Sequence, residues 1–341
     1  VKASAELPNL DILRAIAVLL VVIDHTSKFF GADPTKYHLD TLGGTGVMLF
    51  FVHTCLVLMF SLERQGPSAM PSFLGRFYIR RAFRIYPLSI FFVLLVSVFS
   101  IPQDHIAGPF QLALTPFDPR TLASNLALAM NVTGHAPILG QLWSLPYEVQ
   151  MYLLLPFGFL LARRFGTPAI LLAWVCAAAL ATVPRVSSLP GVWRLSLLEF
   201  TPCFIPGILA FSLWGTRRRF PSVLWIPTIL ALGIPYWWTA SRPVSWVMCL
   251  AVGALIPLFY QAQTAWLIRS AHLIAKYSYG VYLGHVLALW VGFLWIKAAV
   301  PVQIAAWLVA LVVIPVASYH LLERPLIGLG NRLTRTRSLS A

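Results

Sequence analysis

Apolar residues recur along this chain in long runs, broken by short polar stretches that carry most of the arginines. A helix needs about 20 predominantly apolar residues to cross the hydrocarbon core of a bilayer. The runs do not alternate apolar and polar at period two, as the strands of an outer-membrane barrel would. The pattern therefore predicts an all-α fold, a polytopic transmembrane helix bundle. Ten spans are expected, at 10–30, 43–62, 83–101, 143–162, 168–184, 199–214, 222–239, 244–261, 278–297 and 301–322. The stretch 121–134 is too short and polar to cross and is expected as a re-entrant or surface helix.

Composition agrees with the pattern. The chain is 59% hydrophobic and 11% charged, against about 25% charged in soluble domains. Its net charge of +14 would suit nucleic acid, but no basic and aromatic residues interleave as a nucleic-acid surface requires. Topology explains the charge better. With both termini in the cytoplasm, inner segments hold 16 Lys and Arg, among them Arg64, Arg76, Arg163, Arg217 and Arg332. Outer loops hold 5: Lys36, Arg120, Arg185, Arg194 and Arg242. That asymmetry satisfies the positive-inside rule. One integral-membrane domain, 1–330, is expected, followed by a basic tail, 331–341. The first run is long and charged, so no cleavable signal peptide is expected. Cys55, Cys176, Cys203 and Cys249 are scattered within spans and form neither a disulfide framework nor a metal motif. No metal constellation is present among the histidines, which fall in different spans and loops.

Against this apolar background the ionisable residues stand out. The first span, RAIAVLLVVIDH, begins with Arg14 and ends with Asp24-His25. Ionisable groups inside a membrane are costly and mark functional sites. Arg14 and His25 are eleven residues apart, about 20° after three full turns, so they share a helix face. Their separation along the axis is roughly 16 Å. Asp11, one turn before Arg14, is expected to pair with it. Asp24 points about 100° away from His25 and is a poor choice for orienting the imidazole.

Three further groups follow. In RFYIRRAFRIYP, Arg80, Arg81 and Arg84 gather at the start of the third span, and guanidinium forks bind phosphates bidentately. In LWSLPYEVQ, Glu148 lies near the outer end of the fourth span, with Ser144 as a possible N-cap and Trp143 and Tyr147 as interfacial aromatics. In SYGVYLGH, Ser278, Tyr282 and His285 form a polar stripe that must face protein or a water-filled cavity. His53 in the second span reads as a core hydrogen-bonder.

These groups segregate by depth: arginines on the cytoplasmic side, His25 and Glu148 on the outer side. A polyanionic donor with a long thin arm and a reactive tip fits that layout, and acyl-coenzyme A has that shape. His25 would act as general base on an acceptor hydroxyl, with Glu148 beside it. A proton-coupled transporter or a glycan flippase using the same intramembrane groups is the alternative.

The ordered set LDILRAIAVLLVVIDH, GVMLFFV, RRAFRIYP, LWSLPYEVQMYLLLP, SYGVYLGH and the closing ERP resembles the acyltransferase-3 family of integral-membrane O-acyltransferases over nearly the whole chain. The resemblance implies a ten-helix bundle in the bacterial inner membrane that takes acyl-CoA, usually acetyl-CoA, from the cytoplasm. It implies transfer to hydroxyls of carbohydrates, such as lipopolysaccharide and other surface glycans. By the resemblance Arg14 and His25 match the family's essential pair, Arg81 and Arg84 its arginine motif and Glu148 its glutamate; with the residue patterns above, His25 and Glu148 are expected as catalytic, Arg14, Arg80, Arg81 and Arg84 as donor-binding, and Trp143, Ser144, Tyr282 and His285 as acceptor contacts. The sequence departs from the family pattern at His53-Thr54-Cys55, where Leu-Ser-Gly is common, and at Pro87-Leu88-Ser89, where Pro-x-Tyr is common. No hydrolase-like domain of the kind found in two-domain members is expected after the last span, so the resemblance implies either that the chain finishes the transfer itself or that it passes the acyl group to a separate partner acyltransferase.

Overall fold

The computed structural model describes residues 7–32, 41–65, 70–105, 109–182 and 196–334. Lys2, Lys36, Arg185, Arg194, Arg335 and Arg337 of the charge count lie outside the described residues, as do residues 335–341 of the expected tail. The described chain is helical almost throughout: α1 (Pro8–Phe29), α2 (Leu42–Glu63), α3 (Met70–Val98), α4 (Pro119–Leu126), α5 (Met130–Thr133), α6 (Leu145–Ala181), α7 (Leu197–Ser212), α8 (Trp225–Thr239), α9 (Arg242–Leu255), α10 (Ala265–Leu289), α11 (Val300–Ser318) and α12 (Arg324–Leu333). A two-residue antiparallel ladder, Asp104–His105 with Leu112–Ala113, is the one strand pairing between named strands.

The protein is an all-α membrane protein. Among the described residues five helices are long and apolar enough to cross a bilayer: Leu42–Glu63, Met70–Val98, Gly140–Ala181, Ala265–Trp295 and Val300–Leu333. The last leaves Val302, Leu308, Val309, Val312 and Val313 exposed, an apolar surface with no place in water. By contrast α2 is enclosed by the others, and 78% of its most apolar window is buried. It packs against α1, α7 and α9.

Each predicted span falls on a helix, but the lengths differ in informative ways. α1 has the 22 residues a crossing needs, yet Asp11, Arg14, Asp24 and Lys28 keep it out of the apolar class. α7 and α8 have 16 and 15 residues, about 24 and 22 Å, short of a core about 30 Å thick. α3 and α10 begin well before positions 83 and 278, because their first turns carry arginine and lysine and do not read as apolar. The fourth and fifth predicted spans form one element, α6, broken where Gly166 takes φ 67°, a left-handed conformation that glycine tolerates. The stretch 121–134 forms two short helices, α4 and α5. Asp118 caps α4 by accepting the Thr121 N–H at 2.7 Å; that bond holds its carboxyl below the usual carboxylate range. The expected boundary at 330 falls inside α12, whose end is fastened to α3 by the bond from Arg80 Nε to Thr334 Oγ1 at 2.7 Å.

Small residues set the closest approaches. A Cβ on Gly46 would lie 2.4 Å from the carbonyl oxygen of Ala17, so only glycine lets α2 rest directly on the backbone of α1. That contact fixes the rotation of α1, and with it the directions in which Arg14 and His25 project.

Candidate functional site

Arg14 and His25 do share a face of α1, but they open into two cavities. One, of about 100 Å³, is lined by Arg14, His53, Arg81, Arg84, Glu148 and Tyr152 among others. The second, of about 370 Å³, is lined by Asp24, His25, Lys28, Trp143, Tyr236 and Arg242 among others. Val47 and Tyr282 line both. The segregation by depth implies one corridor from guanidinium to imidazole; in the structure its two ends line separate cavities, with Val47 and Tyr282 as shared wall residues. Tyr282 is fixed there because its hydroxyl donates to the carbonyl oxygen of Gln141 and accepts from Ser144 Oγ at 2.7 Å.

The first cavity concentrates charge. Arg14 Nε donates to Ser278 Oγ at 2.6 Å. The expected Asp11–Arg14 pair does not form: Asp11 Oδ2 lies 2.8 Å from His272 Nδ1 on α10. Arg81 and Arg84 are three residues apart on α3 and project to one side. Arg84 pairs with Glu323, which ends the π-helical turn Tyr319–Glu323 between α11 and α12. Arg81 Nε is buried and has no hydrogen-bond partner among the described residues. Arg80, expected with them, is not among the lining residues and turns instead to Thr334.

Glu148 faces this first cavity and is absent from the lining of the His25 cavity. Its expected place beside the imidazole is therefore corrected. It stands in the first turn of α6, where the helix dipole favours a carboxylate, and accepts a hydrogen bond from Tyr152 one turn on. Three guanidinium groups and two carboxylates, those of Glu148 and Glu323, thus leave the cluster with one excess positive charge. Ser144 does not cap α6. It ends a 3-10 turn, Gly140–Ser144, in helical backbone conformation, and no cap bond forms; its hydroxyl serves Tyr282.

The second cavity is wider and mixes aromatic and polar walls. His25 Nε2 lies 3.8 Å from Asp24 Oδ2, which also holds Lys28 Nζ at 2.8 Å. Asp24 reaches back toward the imidazole despite its angular offset on the helix. It does so where α2 has no side chain: a Cβ on Gly43 would lie 2.6 Å from Asp24 Oδ2. The His285 ring stands edge-to-face with that of His25, centroids 4.9 Å apart. His285 Nδ1 is 2.9 Å from the carbonyl oxygen of Tyr282. A carbonyl can only accept, so Nδ1 carries the proton in that bond. Trp143 and Tyr236 supply aromatic faces. Arg242, at the start of α9, lies over the Phe200 ring at 4.6 Å.

Asp24, Tyr236, Arg242, Tyr152 and Glu323 were not singled out as site residues from the sequence. Two carried a signal. Arg242 is a positive charge where the expected topology puts an outer loop, against the prevailing bias, and Tyr152 sits at i+4 from Glu148.

Chemically, the first cavity offers cationic donors in a narrow space, suited to a polar chain that carries or trails negative charge. The second joins a proton acceptor to aromatic and polar walls, the kind of lining that positions a small polar ligand.

Comparison with known proteins gives a family. The model for the acyltransferase domain family matches residues 7–320. Nodulation protein 10 of Rhizobium leguminosarum bv. viciae is 25% identical, over 96% of this chain and 95% of that protein. The exopolysaccharide production protein ExoZ of Rhizobium meliloti (strain 1021) is 24% identical, over 92% of this chain and 98% of that protein. No solved structure matches.

Proposed function

The chain belongs to the acyltransferase domain family, and from that premise we propose that it is a bacterial inner-membrane O-acyltransferase. It moves an acetyl or other short acyl group from cytoplasmic acyl-CoA to a hydroxyl of a carbohydrate, glycolipid or surface glycan. In this reading the helices cross the membrane ten times and both termini are cytoplasmic. The similarity to a protein of exopolysaccharide production supports a saccharide acceptor.

The observation that carries the reading is the pairing of two unlike cavities across one thin wall. The Arg14 cavity, about 100 Å³, is too small for a nucleotide but has room for a narrow chain, since one water needs about 10–15 Å³. A pantetheine arm fits it, and the buried Arg81 Nε without a protein partner fits a polar group along that arm. Arg81 and Arg84 then stand toward the donor's phosphates. The His25 cavity takes the acceptor, with Trp143 and Tyr236 as its aromatic walls.

The step balances as follows. The acceptor oxygen attacks the thioester carbonyl; the new C–O bond forms and the C–S bond breaks. His25 takes the hydroxyl proton, and that proton passes on to the departing thiolate, which leaves as free CoA and returns His25 to its neutral form. Asp24 stabilises the imidazolium, in the place first assigned to Glu148. Glu148 instead orders the arginines around the donor. For this transfer the wall that Val47 and Tyr282 share has to part.

The test is direct. Purified protein in detergent is titrated with CoA and acetyl-CoA, with Arg84→Gln and His25→Ala beside it. Binding to the wild type, weakened in Arg84→Gln and kept in His25→Ala, supports the reading. No binding to the wild type overturns it and favours a transporter.

A further inference from the structure

The His25 cavity holds one cation that general-base chemistry does not use. Arg242 lines that cavity, and its contacts leave most of its hydrogen-bonding capacity unspent. Its Nε faces Glu199 Oε2 at 3.9 Å, too far for a hydrogen bond. Its Nη1 has a long contact of 3.5 Å to the Tyr236 hydroxyl. The Phe200 ring supports its flat face. A guanidinium has five N–H donors, and among the described residues no hydrogen bond engages Nη2. The group is held in place at its stem and face, with its outer edge left for a ligand.

Charge in the cavity points the same way. Lys28 is neutralised by Asp24 at 2.8 Å. Glu199 is not among the lining residues. Among the described lining residues Arg242 is the cation left beside the Lys28–Asp24 pair, and its counter-charge, Glu199 Oε2 at 3.9 Å, stands behind the lining. Topology does not account for Arg242, since it lies on the side with 5 basic residues rather than the side with 16. A neutral sugar would find what it needs in Trp143, Tyr236 and the polar backbone around Gln141.

We propose that the acceptor carries an anionic group, a carboxylate or a phosphate, and that Arg242 binds it while a hydroxyl of the same molecule faces His25. Arg242 is then a specificity-determining residue. The inference rests on the assignment of the His25 cavity to the acceptor. A carboxylate of the sugar and a phosphate of a lipid-linked sugar present the same chemistry to a guanidinium, so the test separates them.

Purified protein in nanodiscs of zwitterionic lipid is titrated with two matched pairs: methyl glucuronide against methyl glucoside, and farnesyl-phosphate-linked glucose against farnesyl glucoside. The wild type is expected to bind the anionic member of at least one pair about tenfold more tightly or better. A preference confined to the first pair assigns the group to the sugar; one confined to the second assigns it to the lipid phosphate. Arg242→Gln is expected to abolish the preference, Arg242→Lys to keep part of it, and Glu199→Gln to keep or strengthen it. Thermal unfolding midpoints check that each variant is folded. The proposal is overturned if the wild type prefers neither anion, or if folded Arg242→Gln retains the preference. Acetyl-CoA binding is measured in parallel. Its absence with the anion preference intact would remove the acyl-transfer reading and leave the anion site standing.

Discussion

His25 and His285, on α1 and α10, stand edge-to-face with ring centroids 4.9 Å apart. The arrangement fixes an order of importance. His25 lines the acceptor cavity, whereas His285 is 1% exposed and tied through Nδ1 to the backbone of its own helix. His285 is not among the residues lining that cavity, so the acceptor contact expected of it is not made; on the proposed mechanism it is a positioning residue for the His25 ring.

His25→Ala is therefore expected to lower acyl transfer by about 100-fold or more, the range of a lost general base. His285→Gln should lower kcat about tenfold, with the acceptor KM almost unchanged. Chromatographic assay of the acylated acceptor distinguishes the two. Equal losses would place His285 in the chemistry itself.

Gly43 is a test of the Asp24 carboxylate. An added methyl would sit 2.6 Å from Asp24 Oδ2 and 3.0 Å from its Cγ, so the carboxylate has to leave His25 and Lys28. Gly43→Ala is expected to cut transfer by about tenfold or more while CoA binding persists, because the Arg14 cavity does not include this position. Gly44→Ala meets the Tyr236 hydroxyl at 3.0 Å instead, leaves the Asp24 carboxylate in place, and should be milder. Equal effects from the two substitutions would argue against a role for Asp24.

The Arg84–Glu323 pair makes a prediction about stability. Glu323 is 1% exposed, and its Oε2 has no hydrogen-bond partner among the described residues. Removing one partner of a buried pair leaves an uncompensated charge and costs about 3–5 kcal/mol. Glu323→Gln alone should lower the thermal midpoint in detergent strongly. Arg84→Gln with Glu323→Gln should recover much of that loss while CoA binding stays impaired. A double variant as unstable as the sum of the singles would mean the pair is not coupled.

What the sequence made legible follows from what a single helix encodes. The eleven-residue interval puts Arg14 and His25 on one face whatever surrounds them, and the three-residue interval does the same for Arg81 and Arg84. The rotation of one helix against another is not encoded in either. Glu148 was therefore assigned to the wrong cavity, and Arg80, one residue from Arg81, turned out to serve α12. Asp24 was dismissed on helical angle alone, but its side chain bends, and the missing Cβ of Gly43 on a different helix makes the space. Helix starts at Met70 and Ala265 are hidden because turns that carry arginine and lysine look like loops to a hydropathy argument.

The shared wall supplies the last prediction. Val47 and Tyr282 line both cavities, so on the proposed mechanism a donor arm entering past Arg14 meets them before it meets His25. Tyr282 is retained by two hydrogen bonds, to Gln141 and Ser144, whereas Val47 is held by packing alone. Tyr282→Phe keeps the ring and removes both bonds, each worth about 0.5–1.5 kcal/mol. It is expected to lower the thermal midpoint slightly while transfer is kept or raised. Val47→Trp thickens the wall and should abolish transfer while acetyl-CoA and acceptor each still bind, because neither cavity loses its charged lining. The two variants read the same barrier from opposite sides. If Val47→Trp transfers acyl groups at the wild-type rate, the reactants do not meet across this wall, and the route from donor to acceptor lies elsewhere in the bundle.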